Sequence, residues 1–141
     1  MRLNIQKMLS FSELGVGENV LKAIQELGFI EPTPIQQQAI PVLLADETDF
    51  VGLAQTGTGK TAAFGLPILE LTDLRIPTTQ ALILAPTREL CVQIANDLAK
   101  YGKFHRAANI TAVYGGANII QQIRQIKKGS QIVVATPGRL L

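Results

Sequence analysis

The sequence predicts an α/β fold, a parallel sheet flanked by helices. Short apolar runs recur along the chain, and helix-like segments separate them. The runs are rich in branched aliphatic residues and lack polar alternation, as strands buried on both faces do. One run leads straight into a glycine-rich loop and a helical pattern. Strand–helix alternation with short loops calls for right-handed crossovers. Ligands of such sheets bind beyond the carboxyl ends of the strands.

The elements follow in order. A helix is expected over 19–27, stopped by Gly28. A second, over 35–44, follows the Pro32-Thr33-Pro34 turn and is expected to kink at Pro41. Strands are expected at 50–54, 81–85, 110–114 and 132–135. A helix over 61–71 follows the first strand. A helix over 88–100 carries Leu90, Ile94 and Leu98 on one face. A helix over 118–127 carries Ile119, Ile120, Ile123 and Ile126 as an apolar stripe. Cys91 is expected buried, and His105 exposed.

A chain of 141 residues suits one domain and can build a real core. At 47% hydrophobic and 17% charged residues, it is neither disordered nor low-complexity. The single Cys91 excludes an internal disulfide and argues against a paired-cysteine metal site. No apolar run approaches the ~20 residues that span a bilayer, and Met1–Lys7 do not open a secretory signal. A cytoplasmic protein without membrane contact is expected. The net charge of +2 hides an asymmetry. Residues 71–141 carry nine Lys/Arg against three Asp/Glu, whereas residues 1–70 carry four against eight. A positive second half suits a polyanion, though ordinary solvated surface explains charge alone equally well.

Chemistry concentrates at Ala54-Gln55-Thr56-Gly57-Thr58-Gly59-Lys60-Thr61. Four variable positions followed by Gly-Lys-Thr, between strand and helix, form the phosphate-binding loop pattern. Gly57 and Gly59 permit positive φ and close backbone approach. Gln55, Thr56 and Thr58 supply further loop groups, and the helix N-terminus adds partial positive charge. Lys60 is expected to reach the β- and γ-phosphates of ATP, and Thr61 to ligate Mg²⁺. These two are the candidate catalytic residues. The loop by itself does not choose among kinases, GTPases and helicases.

Five blocks narrow the choice: Gly28-Phe29-Ile30-Glu31-Pro32-Thr33-Pro34-Ile35-Gln36, the loop at 54–61, Pro86-Thr87-Arg88-Glu89-Leu90, Gly115-Gly116 and Thr136-Pro137-Gly138-Arg139. In this order they resemble the first recombinase-like (RecA-like) P-loop domain of DEAD-box RNA helicases. The resemblance covers about Phe11 to Leu141, with the glutamine-motif region at about 9–37. It implies an incomplete domain, the N-terminal part of a helicase ATP-binding domain over residues 1–141. Ala54, a departure from the general loop pattern, is usual in that family. The resemblance implies that Gln36 reads the adenine edge, for which a carboxamide has the right donor and acceptor. Phe29 can pack on the base, and Phe11 matches an upstream aromatic; simple core packing is the alternative for both. It assigns Pro86, Thr87, Arg88, Gly115, Gly116, Thr136, Pro137, Gly138 and Arg139 to RNA. Contacts there go to phosphate and sugar, without base sequence. An Arg88 ion pair with Glu89 or a distant carboxylate is the alternative at that position. Thr136 is the expected helix cap.

The sequence contains no Asp-Glu-Ala-Asp block and no Ser-Ala-Thr block. In the family these, with a second helicase domain, complete the catalytic centre. Strands that flank the loop strand are absent with them, so an exposed apolar edge and modest stability are expected. The function implied is the ATP- and RNA-binding portion of an ATP-dependent RNA helicase. A non-catalytic RNA or protein adaptor, and another P-loop ATPase or kinase, are the alternatives. Phosphoryl transfer rests on complete positioning and charge stabilisation. The 141-residue chain is therefore expected to bind adenine nucleotide weakly at best, to unwind no RNA, and to release no phosphate from ATP in a coupled assay with excess RNA; turnover above the protein-free blank contradicts this.

Overall fold

Three four-residue strands, all parallel, carry the sheet: β1 (Ala81–Leu84), β2 (Ile110–Val113) and β3 (Ile132–Ala135), in the order β1-β3-β2. The computed structural model describes residues 7–45, 49–105 and 108–141. Among these described residues six helices accompany the strands: α1 (Glu18–Glu26), α2 (Pro34–Ala45), α3 (Lys60–Leu71), α4 (Arg88–Tyr101), α5 (Ile119–Lys127) and α6 (Pro137–Leu140). Their bounds lie within one residue of the sequence expectation for α1 to α5. Pro41 is carried inside α2, which continues through it. The expectation for Met1–Gln6 lies outside the described residues.

β3 is the central strand, and all four of its residues are buried. Its even-numbered residues, Ile132 and Val134, join the main core with α1, α3 and α4. Its odd-numbered residues, Val133 and Ala135, face the other side and meet Val113 and Ile126. Period-two alternation thus divides the strand between two layers. α4 buries Cys91, Ile94, Leu98 and Tyr101 against the main layer, with Leu90 at the rim. Each such fully buried aliphatic side chain contributes roughly 1.5–3 kcal/mol. The Cys91 thiol lies 3.1 Å from the Val134 carbonyl, and burial raises its pKa. At the N-terminus of α1, the Gly17 amide donates to Glu70 at 2.8 Å, tying α1 to the end of α3.

Three expectations are corrected. Phe50–Ala54 is not a strand among the described residues; Val51 and Leu53 are 87% and 93% exposed. A buried strand needs hydrogen-bonded neighbours, and the three-stranded sheet ends at β1 without reaching this segment. Leu82 and Leu84 are exposed for a different reason: they project from a face of β1 that no described helix covers. The isoleucine stripe of α5 is not core. Only Ile126 packs inward, while Ile119, Ile120 and Ile123 face solvent. α5 lies over the β2 side of its layer, where little apolar surface exists to cover it. His105 is half-buried rather than exposed, and its Nε2 is enclosed without a partner among the described residues.

Tyr101 sits in the main core, where desolvation and then the Asp97 carboxylate push its pKa up to about 12. The folded state therefore holds the phenol proton where the unfolded chain, at about 10, has lost it. Its stabilising effect is complete below pH 10 and drains away as pH rises toward 12. Tyr101→Phe has a flatter stability profile across that window, measured by urea unfolding; parallel profiles contradict the assignment.

Candidate nucleotide and nucleic-acid site

The loop before α3 owes its shape to two glycines and one buried amide. Gly57 and Gly59 have φ of +78° and +83°. Gly59 is the N-cap of α3, and a Cβ there would collide with the Gln36 carboxamide and stand 3.2 Å from the Thr33 hydroxyl. Gln36 is 3% exposed. Its Nε2 donates to the Gly59 carbonyl at 3.1 Å, and its Oε1 accepts from the Thr33 amide at 2.9 Å. One amide proton and one acceptor lone pair remain for another partner. The Thr33 hydroxyl is enclosed with no partner among the described residues. The Thr58 hydroxyl donates to the Gln55 carbonyl at 2.6 Å and closes the turn.

Beside the loop lies a cleft of about 510 Å³. Thr56, Gly57, Gly59, Lys60 and Thr61 form one wall, and Phe29 another. The sequence reading missed the third wall, made by Gln93, Asp97 and Tyr101 of α4. Those residues share a face with Leu90 and Ile94, and their apolar neighbours were the only visible signal. Gln55, Thr58 and Gln36 do not line this cleft; they hold the loop from behind. Phe29 packs against the core, the alternative to its expected place on the base, and also borders the cleft. Its ring lies 6.1 Å from Phe11 and 5.8 Å from Tyr101, while another part reaches the cleft. Phe11, 3% exposed, is core.

The donor set fits a triphosphate. Backbone amides at the start of α3 have no intrahelical acceptor, the helix end adds positive character, and the Lys60 side chain is exposed. No group of three His, Cys, Asp or Glu residues suited to a metal occurs among the described residues. A Mg²⁺ ion here would rest on the Thr61 hydroxyl, phosphate oxygens and waters, the pattern that cation favours.

Parallel strands deliver the other blocks to one end. Pro86, Thr87 and Arg88 follow β1, Gly115 and Gly116 follow β2, and Thr136 to Arg139 follow β3. Leu90, in the first turn of α4, lines the cleft with Thr61, so the two regions adjoin. Arg88 pairs with no carboxylate among the described residues. Its Nη1 stands 2.5 Å from where a Gly116 Cβ would be, so its guanidinium lies over a bare backbone with φ of +88°. Arg139 donates from Nη1 to the Ala117 carbonyl at 3.2 Å and to Gln122 Oε1 at 3.4 Å. Gln122, which the sequence reading passed over, is 6% exposed and donates to the Tyr114 carbonyl at 3.2 Å. The Gly115–Asn118 loop is thus clamped between two arginines. Thr87 accepts from the Leu90 amide at 3.2 Å and Asn118 from Ile120 at 2.9 Å, capping α4 and α5. Thr136 occupies the cap position of α6, but its hydroxyl makes no capping bond, a correction to its expected role. Pro86, Pro137 and Gly138 are exposed at the same end.

A family model described as DEAD/DEAH box helicase matches residues 33–141. The chain belongs to that family. It is 52% identical over 132 residues to an ATP-dependent RNA helicase CshA of Limosilactobacillus reuteri, covering 94% of this chain and 26% of that one. Against the CshA of Listeria monocytogenes the identity is 50%, over 95% of this chain and 25% of the other. The chain spans about a quarter of the length of these curated relatives. Among solved structures, a DEAD box protein from Methanococcus jannaschii superposes with a TM-score of 0.88 at 43% identity, over 94% of this chain and 36% of that one. Saccharomyces cerevisiae Dbp5 bound to RNA and ADP BeF3 gives 0.81 at 33%, over 93% and 32%. The fold is RecA-like α/β, and the chain holds part of it. No described helix is long and apolar enough to cross a membrane.

Gly116→Ala costs about 1–2 kcal/mol of stability, from the left-handed φ and the displaced Arg88. Gly115→Ala, with nothing within 4 Å of its Cβ position, costs under ~0.5 kcal/mol. Denaturant midpoints compare the two; equal losses contradict the clamp.

Proposed function

We propose that this chain is the nucleotide- and RNA-gripping part of an ATP-dependent RNA helicase that remodels short RNA duplexes. The observation that carries the reading is the convergence of three strand-end loops, the middle one lying between Arg88 and Arg139 of the other two, beside the glycine-rich loop of α3. Both grips favour anions. In the cleft, α3 amides and Lys60 take the phosphates, Thr61 offers its hydroxyl to Mg²⁺, and Phe29 packs on the base. Bound ATP with Mg²⁺ supplies the phosphoryl group whose cleavage drives the cycle in the full-length protein. Gln36 does not line the cleft; it fixes the Gly59 turn from behind, and its remaining proton and lone pair meet an adenine edge only where the base reaches past the loop. Because the same side chain grips Gly59, base recognition and loop shape share one residue.

On the other grip, Arg88, Arg139 and the capped N-termini of α4 and α5 face the phosphates of a strand. Arg139 spends part of its guanidinium on the loop and keeps other N–H groups for RNA. Gly115, Gly116, Pro137 and Gly138 let the strand approach the backbone. A second helicase domain is the partner that closes over both ligands, and the setting is cytoplasmic.

Competition binding with a fluorescent ATP analogue tests the nucleotide arm. ATP displaces the probe at least about tenfold better than GTP, a difference of ~1.4 kcal/mol. Lys60→Ala loses the probe, and Gln36→Glu, which keeps the side-chain shape, levels ATP with GTP. Indifference to the base in the parent chain, or phosphate transfer to a small metabolite, refutes the helicase reading.

A further inference from the structure

Between α4, α5 and the open edge of β2 lies a second polar hollow of about 340 Å³, away from the nucleotide cleft. β2 is the last strand of the sheet on that side. The Asn109 and Val113 carbonyls turn toward β3, accepting from Ile132 and Thr136 at 3.2 and 2.9 Å. By strand alternation Ile110 and Ala112 turn their amides and carbonyls outward, into the hollow that their side chains also line. The carboxamides of Asn96, Gln121 and Gln125 and the Tyr114 phenol surround it, and none makes a hydrogen bond with a described residue. No charged side chain lines it, and Ala99 and Ala112 leave its walls low.

This is a lining for a neutral, planar group with donors and acceptors on its edge. The hollow begins where the candidate RNA surface stops. Ala117, whose carbonyl accepts from Arg139, and Asn118, which caps α5, belong to both. Arg124, Lys127 and Lys128, on and just after α5, pair with no carboxylate among the described residues and keep the approach positive.

We infer that the hollow is a base pocket, in which one unpaired base of the bound RNA strand leaves the stack and is held by Tyr114 and the carboxamides. The inference rests on the RNA reading above and adds a base contact to an otherwise phosphate-directed grip. Splayed bases held by aromatic rings and amides are a general mode of single-strand RNA recognition.

Fluorescence anisotropy with the 141-residue chain and a labelled single-stranded RNA ten-mer tests it. A second series carries one abasic nucleotide at each position in turn. One abasic position weakens binding by about fivefold to a hundredfold, the loss of a single held base, and the others change it little. The double variant Gln121→Ala/Gln125→Ala, and separately Ala99→Phe, which fills the hollow from an exposed position, weaken intact RNA by the same factor. Neither variant weakens the RNA that is abasic at the sensitive position, an outcome that general damage to the fold does not produce. Arg88→Ala, the control, weakens every RNA alike. If Arg88→Ala weakens binding while both pocket variants match the parent chain, the pocket is refuted and the RNA surface stands; the β2 edge is then left to a peptide strand. If the parent chain binds none of the RNAs, both readings fall.

Discussion

β3 has hydrogen-bonded neighbours on both sides, and the remaining architecture hangs from that placement. With β1 and β2 aligned to it in parallel, each connection must cross back over the sheet, and each strand must end at the same edge. Pro86–Arg88, Gly115–Asn118 and Thr136–Arg139 are neighbours for this reason alone, though they lie up to fifty residues apart in the chain. Burial of Ile132 and Val134 in one layer and Val133 and Ala135 in the other makes a one-residue slip costly, because it would exchange the layers. The register that aligns the three loops is therefore held by core packing rather than by the loops.

Away from the sheet, the site is held by buried carboxamides that fix loop shape. Gln36 is buried because the Gly59 carbonyl and the Thr33 amide satisfy it, and a buried carboxamide without such partners would be costly. Gln122 plays a matching part at the other grip, between the Tyr114 carbonyl and Arg139. Each amide ties a loop to a helix, so a disturbance in either loop is passed to a rigid element. Glycine at 59 and 116 is demanded twice at each position, by positive φ and by a side chain occupying the Cβ space.

Much of this was legible in order and type. The apolar stripe of α4 and the Pro-Gly punctuation of α1 and α2 placed those helices within a residue, because local periodicity and breakers act locally. Phe50–Ala54 misled, since an apolar run states a wish for burial and cannot supply the neighbours that grant it. The α5 isoleucines misled in the same way. At the site, the glycine-rich loop was plain in the sequence, whereas the α4 wall of the cleft was not. Gln93 and Asp97 lie among core residues of the same helix, and only the packing of α4 on α3 turns them toward Thr61.

Residue order alone determined which candidate phosphate-binding groups the chain carries: two glycines at the right spacing, a lysine and a threonine at a helix start, and arginines after strand ends. Those are properties of local backbone freedom and side-chain charge, which need no distant contact. Tertiary structure decided which of them meet one another. Arg88 over Gly116, Arg139 on Ala117 and Gln36 behind Gly59 are contacts between segments far apart in the chain. They form because the parallel sheet and its buried layers bring the segments together, and no local pattern encodes that approach.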